Sequence, residues 1–211
     1  MTQEVYVAHA DGAVLASDSL IIREDEAGRR ERLTQRKLFA LGTRAAIVSG
    51  GAAIGIDLSR QLAHAVASRG LNEIGEIIAF APDFLRQGYS AYVDATRQWY
   101  AGHPGAYQRL YFLIAGCAAD GLAQALLLGS EQISVPLTPL PVQRVVSMPR
   151  RLMLEVQLSR LAGRISLPEL ADYVLRQLAL LAQKESETVG GPFDAVIITP
   201  HGMRPALLNA R

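Results

Sequence analysis

Thr2 follows Met1 directly, and a threonine in that place can do chemistry that no internal threonine can. Removal of Met1, which a small second residue favours, would leave one residue carrying both a hydroxyl and a free α-amine. That amine has an ordinary pKa near ~8. It can take the hydroxyl proton at neutral pH and make the oxygen a nucleophile without any histidine. On its own, a threonine at position 2 reads as an exposed terminal residue. Lys37 draws attention through its rarity. Of 21 basic residues only Lys37 and Lys184 are lysine, the rest being arginine. GC-rich coding accounts for such a bias. Against it, a retained lysine marks a position where a compact, shiftable charge serves and a locked guanidinium does not. Asp18 closes the run VLASD. Taken alone, Asp18 and Lys37 read as a surface ion pair.

The other reactive residue types offer less. Cys117 is the single cysteine, which excludes an internal disulfide and a multi-cysteine metal site. In an apolar strand it reads as an inert core thiol. His9, His64, His103 and His201 are scattered without metal-ligand spacing. Gly50-Gly51 lacks the Lys-Ser/Thr that completes a phosphate-binding loop. Neither a metal nor a cofactor is expected. A formal net charge of +1 gives no electrostatic pull toward nucleic acid or an anionic membrane. No apolar run reaches the roughly 18–20 residues that span a bilayer. The N-terminus has no signal-peptide character, so a cytoplasmic location is expected. With 211 residues, 50% of them hydrophobic, the chain can bury a full core as one domain, residues 1–211.

The elements that must position these residues follow from the apolar patterning. Val5 to Ala8 and Ala13 to Ser17 flank Asp11-Gly12, the strongest short-range hairpin signal. Ser19 to Ile22 continue extended, and Arg23 to Arg32 is a charged loop or hairpin tip. Gln35 to Leu41 and Arg44 to Ser49 predict a strand pair turning at Gly42-Thr43. Ile56, Leu58, Leu62 and Val66 recur at helical spacing, with Gly70 as a stop. Asp83 to Tyr100 predicts a second helix ended by Gly102 and Pro104, while Asn72 to Ala81 fits helix or strand. Gln108 to Cys117 and Leu122 to Gly129 form a hairpin around Asp120-Gly121. Val135 to Pro141 reads as a loop and Val142 to Met148 as a strand. Arg150 to Leu161 and Leu167 to Lys184 are amphipathic helices. Ala195 to Thr199 and Ala206 to Leu208 close the chain as a hairpin around His201-Gly202. Hairpins in place of alternating βαβ units predict two antiparallel sheets with helices outside.

Several of these stretches together resemble one family. The pattern is Thr2, Asp11-Gly12, Val14-Leu15-Ala16-Ser17-Asp18-Ser19, Lys37-Leu38-Phe39 and Ser49-Gly50, with VGGPFDAVIIT (Val189 to Thr199) near the end. It resembles the proteasome β-subunits and their bacterial relatives, closest to the betaproteobacterial proteasome homologue, which are N-terminal-nucleophile hydrolases. Asp18 falls at the family's spacing from Thr2. Lys37 falls a few residues late, a shift that the charged loop before it absorbs. The likeness covers both ends of the chain well and the middle poorly.

The resemblance implies an α+β fold, a four-layer αββα sandwich with two antiparallel sheets between helix layers. It implies a threonine-type peptidase assembled as a homo-oligomeric single or double ring, acting on peptide or unfolded protein, with an ATP-dependent unfoldase as a further partner. By this likeness Thr2 is the nucleophile, Lys37 paired with Asp18 favours its ionisation, and the Gly50 N–H donates to the oxyanion. Ile22 and Ala52 would hold the substrate backbone as an added strand. Ile21, Gln35, Val48 and Ala52 would line the pocket for the residue before the scissile bond. The sequence departs from the family at two places. Ser147, in Ser147-Met148-Pro149, stands where a Gly-Ser-Gly turn is usual. Ser186 falls nearest the slot of an aspartate, with Glu185, Glu187 and Thr188 as stand-ins. These departures keep open a second expectation, a ring-forming scaffold homologue with little or no peptidase activity.

Overall fold

The computed structural model of the chain describes residues 2–24, 28–103, 109–130 and 136–207. Met1, the tip of the charged run at Asp25 to Ala27, Pro104, Gln108, Val135 and Leu208 lie outside the described residues.

A tight turn at Ala10-Asp11 joins β1 (Glu4–His9) to β2 (Gly12–Asp18), in register from His9 opposite Gly12 to Glu4 opposite Ser17. Gly12 has φ +140, and a Cβ there would lie 2.0 Å from the Ile198 carbonyl oxygen. Only glycine fits that backbone approach. The first sheet runs β10-β1-β2-β11-β12, with β10 at Val145–Met148, β11 at Phe193–Thr199 and β12 at Gly202–Pro205. The second runs β5-β6-β7-β8-β9, formed by Leu38–Ala40, Ala45–Gly51, Leu110–Cys117, Ala123–Ser130 and Thr138–Leu140. A separate two-stranded ribbon, β3 (Leu20–Glu24) with β4 (Arg30–Thr34), carries the charged run. All the strand pairings are antiparallel.

Four helices among the described residues complete a mixed α+β fold compatible with a sandwich. They are α1 (Ile54–Ser68), α2 (Ile74–Gly102), α3 (Leu152–Leu161) and α4 (Leu167–Lys184). The core divides into three clusters. Leu58, Leu62 and Val66 of α1 and Ile77, Ala81 and Leu85 of α2 pack on Ile47, Phe112 and Ile114 of the second sheet. Leu158 of α3 and Leu170, Val174 and Leu178 of α4 pack on Val5, Val7, Val14 and Ile197 of the first. Between the sheets lie Tyr6, Leu15, Leu38, Val48, Leu113 and Ile198. Alternate residues of β1 thus serve two cores, Val5 and Val7 facing the helices and Tyr6 facing the other sheet, as strand geometry requires.

Two segments depart from the sequence reading, and one that fitted helix or strand proves helical. Residues 74–81 belong to α2, which continues through Pro82. Ile74, Ile77, Ala81, Leu85 and Tyr89 form one buried stripe across it, and that burial offsets the roughly 3 kcal/mol an internal proline costs. Thr138–Leu140, within the expected loop, pairs with β8 as the edge strand β9, a place where Pro139 is tolerated because one side needs no N–H. The last hairpin turns at Pro200-His201, so β12 lies at Gly202–Pro205, ahead of Ala206.

Candidate active site

The sheet ends opposite the β1–β2 turn gather four of the residues singled out above. Lys37, in the segment entering β5, is buried with 2% of its surface exposed. Such burial demands that each ammonium proton find an acceptor. Lys37 Nζ donates to Thr2 Oγ1 at 2.7 Å, to Asp18 Oδ1 at 3.0 Å and to the Leu20 carbonyl at 2.7 Å. Burial lowers the Lys37 pKa from its ordinary value, while the charge and hydrogen bond of Asp18 and the charge of Glu4 pull it back up. A lysine held this way is a cation beside a hydroxyl, favouring the oxyanion of Thr2 over the alcohol.

Asp18, at the end of β2, is fixed from several sides. Its Oδ1 also accepts the Gln3 N–H at 3.1 Å, and its Oδ2 accepts the N–H groups of Leu20 at 3.3 Å and Gly190 at 3.1 Å. All four partners are donors, which suits an ionised, acceptor-only carboxylate. The Gly190 contact ties the stretch before β11 to this end of the molecule. Ser19 fastens the same segment, its N–H donating to the Gly190 carbonyl at 3.1 Å and its hydroxyl to the Pro192 carbonyl at 2.5 Å.

Gly50 lies in β6 directly against Thr2. A Cβ on Gly50 would stand 3.2 Å from Thr2 Cβ and 2.6 Å from Glu4 Oε1, so the position of Thr2 depends on glycine here. β5 pairs with β6 only as far as Val48. Among the described residues this leaves the β5-facing edge of Ser49 to Gly51 without a strand neighbour.

Glu4 was not singled out from the sequence, yet it is fully buried and neither carboxyl oxygen has a hydrogen-bond partner among the described residues. The signal was present: the flanking strand is apolar on both faces, so an acidic residue within it has no solvent to face.

Ser147 and Ser186 do not join this group. Ser147 lies opposite Val5, on the helix face of the sheet. Its hydroxyl donates to Glu155 Oε1 at 2.8 Å and accepts the Arg151 N–H at 2.8 Å. Ser186 is exposed in the turn after α4. Its neighbour Glu185 makes the connection instead. Arg151 pairs with Glu185 through Nη1 at 2.7 Å and Nη2 at 2.5 Å, and its Nε donates to the Gln3 side chain. A network therefore runs from the end of α4 to the residue after Thr2.

The expected substrate-contact residues fall into three settings. Ile22 and Gln35 are exposed, while Ile21 and Ala52 are half-buried. Val48 is wholly enclosed between the sheets, so its side chain is core and does not line a substrate pocket as expected. The Ala52 N–H already donates to the Arg109 carbonyl at 2.8 Å, and the Ala52 carbonyl accepts from Gly55 at 3.0 Å. Those backbone groups are engaged within the fold, unlike the edge at Ser49 to Gly51.

No group of three His, Cys, Asp or Glu among the described residues could hold a metal, and no described helix is long and apolar enough to cross a membrane. Compared with known proteins, the chain matches no family model and no curated protein.

Proposed function

We propose that this protein is a threonine-type peptidase of the N-terminal-nucleophile class, with the four-layer αββα sandwich of proteasome β-subunits. The observation that carries this reading is the buried Lys37 ammonium, shared between the Thr2 hydroxyl at 2.7 Å and the Asp18 carboxylate at 3.0 Å. Cleavage of the peptide bond preceding Thr2 frees its α-amine. The amine takes the hydroxyl proton, directly or through water, and Oγ adds to a substrate carbonyl carbon. The Gly50 N–H donates to the resulting oxyanion. Collapse breaks the C–N bond, the proton passes to the leaving amine, and water then hydrolyses the ester to restore Thr2. Lys37 stays charged throughout, and Asp18 keeps that charge in place.

The substrate is an extended polypeptide, laid as an added strand along the edge at Ser49 to Gly51 with Ile21, Ile22 and Gln35 on its other side. Unfolded protein or short peptide fits that geometry. A homo-oligomeric ring in the cytoplasm, fed by an ATP-dependent unfoldase, completes the proposal.

A second reading, a ring-forming scaffold with little activity, is favoured by Ser147 facing Glu155 and Ser186 facing solvent, so that neither side chain reaches Thr2. Hydrolysis of short fluorogenic peptides by protein with a free Thr2 amine separates the two. Turnover lost in Thr2→Ala supports the peptidase; no turnover despite a free amine supports the scaffold.

A further inference from the structure

Within the four-residue group the charges are already assigned, and Glu4 is left over. Lys37 spends its three N–H donors on Thr2, Asp18 and the Leu20 carbonyl. Asp18 collects four donors, whereas neither Glu4 oxygen has a hydrogen-bond partner among the described residues. A buried carboxylate with no donor is far costlier than a buried carboxylic acid. One cation faces two carboxyls, so the one with four donors keeps the negative charge and the one with none keeps the proton. Glu4 also borders Thr2 at Gly50, where a Cβ would stand 2.6 Å from Glu4 Oε1 and 3.2 Å from Thr2 Cβ.

Few other titratable groups surround Glu4. β2 brings Asp18 and the segment before β5 brings Lys37. Tyr6 follows on the same face of β1, and Tyr111 of β7 lies opposite Gly50 in the ladder. The Thr2 α-amine joins them once freed. β10 contributes Met148 and β6 contributes Ser49 and Gly50, none of which titrates near neutrality.

We propose that Glu4 is a positioning residue for the nucleophile, a neutral carboxylic acid holding Thr2 against Gly50, whose ionisation at alkaline pH stops the reaction. Ionised, it would bind the Lys37 proton more tightly and oppose negative charge on Thr2 Oγ. Burial and the charge of Asp18 push its pKa well above the ordinary carboxylate value, with Lys37 opposing them. The kinetic half of the proposal rests on the peptidase reading; the protonation half stands without it.

Thermal unfolding of the full chain and of Glu4→Gln, from mildly acidic to alkaline pH, tests the protonation half. A group whose folded pKa is raised binds a proton in the native state that the unfolded chain has released. Its contribution is therefore present below the unfolded pKa, near ~4.3, and is lost as pH rises toward the folded value. Glutamine has no such loss, so the Tm of Glu4→Gln should rise relative to wild type as pH rises. Parallel curves would overturn the proposal. Glu4→Met, also uncharged and of similar length, gives the same reading if Glu4→Gln does not fold. In infrared spectra at neutral pH, wild type should show a protonated-carboxyl C=O band that the variant lacks, and its absence counts against Glu4 being neutral.

Peptide hydrolysis tests the kinetic half. The wild-type kcat profile should carry an alkaline fall missing from Glu4→Gln, with KM moving less than kcat; superimposable alkaline limbs overturn it. If the peptidase reading itself fails, no variant turns over substrate while the pH-dependent Tm difference remains.

Discussion

The two faces of β1 carry two buried acidic centres that differ in one respect. On the helix face, Glu155 is fully satisfied. Its Oε1 accepts from the Ser147 N–H at 2.9 Å, the Ser147 hydroxyl at 2.8 Å and Arg150 Nε at 2.7 Å, and its Oε2 accepts from Arg150 Nη2 at 2.7 Å. On the inter-sheet face, the Glu4 carboxyl has no hydrogen-bond partner among the described residues. A satisfied buried carboxylate ties α3 to β10 and is structural. An unsatisfied one beside a lysine-bonded hydroxyl is a cost that folding alone does not explain, and such exceptions concentrate where chemistry is done. The contrast also explains the placement of Ser147: its hydroxyl belongs to the satisfied centre.

The sharpest way to break this comparison is to remove the cation of the inter-sheet centre. Lys37→Met should reduce peptide turnover by about 10²–10⁴-fold, and it should destabilise the fold by about 3–5 kcal/mol because Asp18 is left buried without its partner. Full activity in that variant would remove Lys37 from the mechanism. Gly50→Ala comes next. Its methyl collides with Glu4 and Thr2, and a displacement of Thr2 on the order of 1 Å should cost about 10²-fold in kcat. Circular dichroism should show the fold retained while kcat falls.

The helix-face centre should respond in the opposite manner. Glu155→Gln should lower stability by about 1–3 kcal/mol while turnover per folded molecule stays near wild type. The pH dependence is opposite in sign to that of Glu4. Burial raises the Glu155 pKa, but the hydrogen bonds from Arg150 and Ser147 outweigh it and hold the group below its ordinary value. Its contribution is thus present above ~4.3 and lost as pH falls through the folded value. The gap between wild type and Glu155→Gln should close in acid, as followed by denaturant unfolding. The smallest effect belongs to Glu185→Ala at the partly exposed end of the Arg151 network, under about 1 kcal/mol and diminished by salt.

Much of this was legible in the sequence because the relevant residues are spaced by regular strands. Thr2, Asp18, Lys37 and Gly50 lie at the ends of strands whose alternation and hairpin turns were readable. The four converge once the two sheets face each other. Glu4 was missed because polarity at the start of a strand ordinarily means exposure, and only the knowledge that both faces of β1 are buried makes it anomalous. Ser147 was placed by likeness to a turn, yet a strand alternates sides, and its register opposite Val5 turned it to the helices. Residues 74–81 fitted helix or strand in sequence, and the long buried stripe running past Pro82 decides for α2. β9 was hidden because its Pro139 is tolerated only at a sheet edge, which is a property of topology.

The central claim is that Thr2 is a nucleophile whose base is its own α-amine. Intact-mass spectrometry after treatment with a peptide epoxyketone tests it most directly, since that warhead closes a ring on a hydroxyl and an adjacent free amine together. The account predicts one adduct per chain, mapped to Thr2 in protein whose Thr2 amine is free, and none in Thr2→Ala. An unmodified chain with that amine demonstrably free, or an adduct that persists in Thr2→Ala, would contradict it.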